Sequence, residues 1–324
     1  MSAAAPDPPP ERSATTAAPS LWLVMVNWNG GAMTRDALAA VGAGSRRPDG
    51  VIVVDNGSTD DSLALAGGGS PVPEIIRNPD NRGFAAAANQ GIARALERGA
   101  DLVFLLNNDA RCEPETLARL EEASRRRPAA GLLAPKILRE GEGPPRLWCA
   151  GVSVGFHPNL QDLRGFERPD DGRYDREEEV DALTGCGLLV RREVFEAIGL
   201  FDERFFVYVE DLDLSLRARD AGFACLHVPG AVLHHRAGAS TGGGYGAWRK
   251  EMLAYNVVLL LRKRREVRLW AAFVVLDLLL WPALLVAGVV RGRARAVRAK
   301  GRGMLRALFG GARPAAPTRG AGEG

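Results

Sequence analysis

The pattern of apolar and polar positions first becomes regular at Leu21. The run LWLVMV (21–26) is almost unbroken apolar sequence, and it ends in the polar residues Asn27 and Asn29. The same design recurs at 51–58 (VIVVDNGS), 73–78 (PEIIRN) and 101–109 (DLVFLLNND). Between these runs the periodicity predicts helices over 32–41, 59–66 and 84–98. Fully apolar strands alternating with helices specify a mainly parallel sheet covered on both faces, an α/β fold. Ligands in such sheets gather at the carboxyl ends of the strands. Asn27, Asn29, Asp55, Asn56, Asn78, Asn107, Asn108 and Asp109 all fall there.

The pattern then changes. Residues 139–180 are irregular and rich in Gly, Pro and charge, apart from a strand expected near 148–154. LTGCGLLVRREVFEAIG (183–199) reads as strand then helix. From Val209 an amphipathic helix is predicted, and FACLHV and AVLHH follow as two short strands. Glycine runs at 67–69 and 242–244 read as loops. After Trp248 a helix is predicted to end in the basic run 262–265. Residues 269–290 then carry only one charge, Asp277, with Pro282 midway. That length can span a bilayer, and an interfacial hairpin around Pro282 fits equally well. Arg268 on one side and Arg291, Arg293 and Arg295 on the other leave orientation open. The remainder, 291–324, is basic and expected to be partly disordered. Residues 1–19 lack the apolar stretch of a signal peptide and read as a disordered leader, so export is not expected.

Charge sharpens this division. The 324 residues carry a net charge of only +3, yet residues 249–324 hold 16 Lys/Arg against 4 Asp/Glu. A basic, apolar tail on an acidic body predicts an anionic membrane surface as partner, not nucleic acid. The four cysteines are irregularly spaced, with no C-x-x-C pair. They read as buried thiols, not as a disulfide framework or zinc site.

Four features can carry chemistry. Asp109, ending a strand beside two Asn amides, can bind a hard divalent cation, as it can also form a turn. Asp55 ends the second strand, where a base or ribose can be hydrogen-bonded, with Ser58 or Thr59 capping the next helix. VNWNGG after the first strand does not match G-x-G-x-x-G, which argues against a dinucleotide-dependent oxidoreductase. Glu210, Asp211 and Asp213 crowd the start of the amphipathic helix. Helix-start electrostatics explains them, but repulsion can also raise one pKa and create a base. His234 and His235 follow a strand and can ligate metal or cap a turn.

Taken together, VNWNG (26–30), VVDNGSTDDS (53–62), RNPDNRGFAAAANQGI (77–92), LLNNDA (105–110), GCGLLVRREVFEAIGLFDERFF (185–206), VEDLDLSLR (209–217) and HHRAGAS (234–240) resemble the family 2 glycosyltransferases of GT-A fold. The likeness is strongest to their rhamnosyltransferase-like branch and covers about 21–241. It implies a GT-A domain over 20–248, while the basic, apolar composition beyond it predicts a helical, membrane-associating region over 249–324. The likeness implies an inverting enzyme that uses Mg²⁺ or Mn²⁺ and moves a hexose, rhamnose from dTDP-rhamnose being the first expectation. The acceptor would be a saccharide or lipid-linked saccharide in cell-envelope polysaccharide synthesis. The work would be done at the cytoplasmic face of the plasma membrane. Asp55 would contact the base, with Asn27 and Asn29 in the same pocket. Asn78, Gly83, Asn89, Asn107 and Asn108 would line the donor site. Asp109 would hold the metal, joined by His235 or else His234, and Asn107 stands where the family's D-x-D motif has its first Asp. Asp211 would be the base, supported by Glu210. Two other classes remain to be weighed. A sugar nucleotidyltransferase would show a basic phosphate loop where VNWNGG has none. A non-catalytic sugar-binding membrane protein would have lost Asp109 or Asp211.

Overall fold

A computed structural model describes residues 18–63, 71–141, 143–236 and 246–316. Most of the leader, both glycine runs, the latter part of the helix expected at 59–66, the end of HHRAGAS and the last eight residues lie outside these.

The expected α/β alternation forms. β1 (Leu21–Asn27), β2 (Gly50–Asp55), β3 (Glu74–Arg77) and β4 (Leu102–Asn107) lie parallel in the order β3-β2-β1-β4. Helices α1 (Ala32–Gly42) and α2 (Phe84–Glu97) connect them. Alternate residues of β1 serve opposite faces: Leu21, Leu23 and Met25 join one core layer, Val24 the other. Burying each such side chain contributes about 1.5–3 kcal/mol. α2 lies against β1 and β2 because its contact face is Ala85, Ala87, Ala88 and Gly91. A Cβ on Gly91 would stand 2.4 Å from Val24 Cγ1.

Beyond β4 the sheet continues through β11 (Gly187–Arg191), β6 (Ala130–Arg139), β12 (Ala224–His235) and β10 (Glu178–Val180). β11 runs antiparallel to both neighbours, and β6 pairs β12 in parallel. β5 (Ala110–Cys112) pairs β12, and β7 (Arg146–Cys149) pairs β6. β8 (Val152–Val154) and β9 (Gln161–Leu163) form a separate ribbon in the segment that looked irregular. The two short strands expected after residue 222 are one strand, β12. It absorbs Pro229 and Gly230 in a register shift between Val228 and Val232. Helices α3 (Thr116–Arg126), α4 (Arg192–Ile198) and α5 (Glu210–Asp220) cover the faces.

α6 (Ala247–Arg264) buries Ala254, Val257, Val258, Leu260 and Leu261 in the same core layer as β1 and β4. The apolar stretch is broken rather than continuous. α7 (Val267–Phe273) runs into a π-helical segment, Val274–Leu279, and α8 (Trp281–Val290) follows at a bend of 41°. Pro282 in the first turn of α8 marks the break. Among the described residues no single helix is long and apolar enough to cross a membrane, though this bent pair is by length and composition. The basic segment expected to be partly disordered forms α9 (Ala294–Leu308), which packs back on α6 through Met304 and Ala307.

All four cysteines are free and buried. Burial pushes the thiols of Cys112, Cys149 and Cys225 up to about 12, and that of Cys186 well above its usual value.

Candidate active site

A cavity of about 440 Å³ opens at the carboxyl edge of β1 and β4. Asn107, Asn108 and Asp109 line one wall, with the start of α2 at Gly83 and Phe84. Thr184–Cys186, the run Phe206–Asp211 and the first turn of α6 complete it.

Beneath the cavity the strand-end residues bond to one another. Asn27 is fully buried, and its amide donates to Asp55 at 3.1 Å, Ser58 at 3.0 Å and Ser62 at 2.8 Å. Its Oδ1 accepts from Thr34 at 2.6 Å and Asn108 at 3.1 Å. Asn29, in a left-handed turn at φ 52°, accepts from Thr59 and ties the β1 loop to the β2 loop. Asp60, not Ser58 or Thr59, caps the helix that begins at Ser62, by accepting its N–H. Asn78 exchanges bonds with Gln90 and donates to Asn56. Asn89 clamps the backbone of Phe201, accepting its N–H and donating to its carbonyl, each at 3.0 Å. Asn27, Asn78 and Asn89 thus hold neighbouring loops in place, and none of Asn27, Asn29, Asn78 and Asn89 is among the residues that line the cavity. Asp55 lies behind the cavity wall, bonded to Asn27, while Asn107 and Gly83 reach the cavity. Asn56, which sequence reasoning placed at a strand end without a role, also lines the cavity and binds Asn81 and Gly83. Gly83 has φ 89°, and a Cβ there would meet the Phe206 ring at 2.3 Å, so a side chain is excluded twice over.

The two candidate metal ligands meet although 126 residues apart: His235 Nε2 stands 3.1 Å from Asp109 Oδ1. β12 delivers the histidine beside β5, and both side chains are buried. The Trp148 ring packs edge-on against His235, with centroids 4.5 Å apart. His235 Nδ1 is buried without a partner. His234 points elsewhere, to Glu113 at 2.9 Å. Among the described residues no third His, Cys, Asp or Glu completes a cluster. One carboxylate and one imidazole suit a cation that draws its remaining ligands from water and phosphate.

Asp211 enters the cavity from the first turn of α5. Both its oxygens accept backbone N–H groups, from Gly185 at 2.9 Å and from Leu212 at 2.8 Å. Burial raises its pKa, and those two bonds moderate the rise. Glu210 is pushed well above the usual carboxylate range by burial and by the Asp211 charge, and its Oε2 has no partner. Asp213 faces away. It is 1% exposed and paired with Arg217 at 2.7 Å and Lys263 at 2.8 Å, so it anchors α5 to α6.

The backbone leading to Asp211 is held in a costly shape. Phe206, Tyr208 and Val209 have φ of 61°, 71° and 73°. Non-glycine residues there cost about 1–3 kcal/mol each and persist only when surrounding bonds enforce them. Asn256 of α6 enforces them: its buried amide donates to the carbonyls of Phe205, Val207 and Tyr208 at 2.6, 2.9 and 2.8 Å. Sequence reasoning missed Asn256, and no local signal marks one Asn in an apolar helix.

With this geometry established, comparison with known proteins is decisive. The family model described as Glycosyl transferase family 2 matches residues 22–199. The chain is a family 2 glycosyltransferase. This glycosyltransferase is 32% identical over 243 residues to N-acetylglucosaminyl-diphospho-decaprenol L-rhamnosyltransferase of Mycobacterium tuberculosis, covering 66% of this chain and 76% of the relative. The mannosyltransferase PcManGT of Pyrobaculum calidifontis, solved with GDP-Man and Mn²⁺, superposes with a TM-score of 0.58 at 15% identity, over 91% of this chain and 88% of that one. GalNAc-T7, solved with UDP, GalNAc and Mn²⁺, gives 0.57 at 16% identity over 76% of this chain and 48% of that longer one. These two likenesses establish the GT-A fold of the glycosyltransferase.

Proposed function

We propose that this enzyme transfers a hexose, with inversion, from a nucleotide-sugar donor to a lipid-linked saccharide, with rhamnose from dTDP-rhamnose as the leading donor. The observation that carries the catalytic part is Asp211: a carboxylate of raised pKa, fixed by two backbone N–H groups, in the same cavity as Asp109 and His235. The donor and acceptor classes rest on the similarity to the mycobacterial rhamnosyltransferase. Synthesis of a cell-envelope polysaccharide follows from the same similarity.

In this reading Asp211 accepts the proton of the attacking acceptor hydroxyl, and its fixed position aligns that hydroxyl. One base and no protein nucleophile make a single displacement, which inverts the anomeric centre. Burial and the Asp211 charge push Glu210 well above its usual range, whereas the rise at Asp211 is moderated by its backbone bonds, so Asp211 is the readier of the pair to ionise. Asp109 and His235 would hold Mg²⁺ or Mn²⁺, which when bound would neutralise charge on the nucleoside diphosphate. Asn107 and Asn108 border that position without adding charge.

We also place the enzyme at the cytoplasmic face of the plasma membrane. Supporting this, Leu279, Val286 and Val290 are 66%, 68% and 82% exposed, beside Arg291, Arg293 and Arg295.

The test is a donor screen that follows nucleoside diphosphate release across UDP-, GDP- and dTDP-sugars with Mg²⁺ and with Mn²⁺. The acceptor is a prenyl-diphospho-N-acetylglucosamine, and the product's anomeric configuration is read by NMR. Rhamnosyl transfer with inversion is expected. Retention of configuration would overturn the role of Asp211. Release of pyrophosphate from a nucleoside triphosphate would move the enzyme to the nucleotidyltransferases.

A further inference from the structure

Arg249 is the only Lys or Arg among the described residues lining the cavity, which otherwise carries the acidic groups Asp109, Glu210 and Asp211. Its guanidinium lies over the Tyr208 ring, 5.4 Å from the centroid. No carboxylate among the described residues bonds or pairs with it. This differs from the cations at the far end of the same helix, where Lys263 is paired with Asp213 and Arg264 with Asp220. A guanidinium left unneutralised in an acidic cleft presents its donor fork to an incoming anion, and that fork suits phosphate oxygens.

The walls indicate which phosphate. Asp109 and His235 come from the sheet edge, where the nucleoside diphosphate belongs. Arg249 comes from α6, beside the cavity-lining Trp248 and Leu253. Another part of the lining is Asn159 and Gln161, and this loop is fastened to the apolar segment. Asn159 N–H donates to Asp277 Oδ2 at 2.9 Å, and Asp277 is held in turn by Lys300 at 2.5 Å. Phe156, on the same loop, is 61% exposed. The acceptor side of the cleft is thus joined directly to the segment bearing the exposed apolar residues. A lipid-linked acceptor has its phosphates between its sugar and its lipid, so they pass along this side as the sugar reaches Asp211.

We propose that Arg249 binds the diphosphate of the lipid-linked acceptor and is the residue by which the enzyme distinguishes a lipid-diphosphate acceptor from an uncharged one. This rests on the glycosyl-transfer reading above. The test compares the parent enzyme, Arg249→Ala and Arg249→Lys with two acceptors: a short-chain prenyl-diphospho-N-acetylglucosamine and octyl N-acetylglucosaminide, which has no phosphate. Arg249→Ala is expected to raise KM for the diphosphate acceptor roughly tenfold to a hundredfold, the range for losing charge-assisted bonds. KM for the octyl acceptor, KM for the donor and kcat should stay within about twofold, and Arg249→Lys should recover part of the loss. A rise in donor KM would reassign Arg249 to the donor and overturn the proposal. An equal rise for both acceptors, or none, would also overturn it. Absence of transfer by the parent enzyme with every donor and both acceptors would instead bring down the glycosyl-transfer reading beneath it.

Discussion

Replacing Asn256 with Ala tests whether a residue remote in sequence sets the catalytic geometry. The side chain is fully buried, and its two N–H groups serve three carbonyls of the loop that precedes Asp211. Each lost bond costs about 1 kcal/mol net, and a buried carbonyl left without a partner costs about 1–3 kcal/mol. Asn256 Oδ1 has no partner itself, so its removal returns roughly 1 kcal/mol. The net expectation is a loss of about 2–3 kcal/mol, or about 3–5 °C in melting temperature for a protein of this size. Without the clamp the left-handed run relaxes and Asp211 shifts. A displacement near 1 Å at a reacting centre can cost about a hundredfold in rate. The assay is thermal unfolding together with kcat, measured well below the transition so that every molecule counted is folded. The donor Kd should change little, because the donor-side wall stands on the sheet. A melting temperature within about 1 °C of the parent would refute the clamp. A lowered melting temperature with parental kcat would refute its link to Asp211.

Asp211→Asn should lower kcat about 10²–10⁴-fold with donor binding retained by calorimetry, and a loss under tenfold would remove Asp211 as base. In the parent, the acid limb of kcat should lie above 3.8, the ordinary value for Asp, because burial raises the Asp211 pKa. Glu210→Gln should stabilise the fold increasingly as pH rises above 4.5, the ordinary value for Glu. The sign follows because the buried carboxyl holds its proton in the native state longer than in the unfolded state, so ionisation favours unfolding. A melting difference that stays flat from pH 4 to 8 would contradict that burial. Leu279→Glu with Val286→Glu should reduce co-sedimentation with anionic vesicles more than roughly tenfold. A parent enzyme that does not sediment with vesicles at all would overturn the membrane placement.

The parallel half of the sheet was legible because strands buried on both faces leave continuous apolar runs. The helices expected at 32–41 and 84–98 differ from α1 and α2 by one residue each. β12 was read as two strands because Pro229 and Gly230 look like a break, whereas the register shift accommodates them within one strand. The stretch 269–290 looked like one span because apolar composition carries no record of a bend. Asp109, Asp211 and His235 were found because their neighbours resemble a family pattern, and the fold brings all three to one cavity. Composition gave the polar strand ends but not which way each amide turns. Asn27 and Asn89 face inward, and only tertiary packing decides that. Asp213, given only helix-start electrostatics from sequence, proved to be half of an anchor whose partner, Lys263, lies 50 residues away.

The four shielded thiols have a practical consequence. With no cysteine exposed among the described residues and each held far from its reactive thiolate form, the enzyme is a silent background for maleimide chemistry. A single Cys introduced along Val274–Val290 would be the one site to take a fluorophore. A series of such labels, read for polarity in vesicles, would map residue by residue how deep the bent segment lies, without first having to engineer a cysteine-free parent.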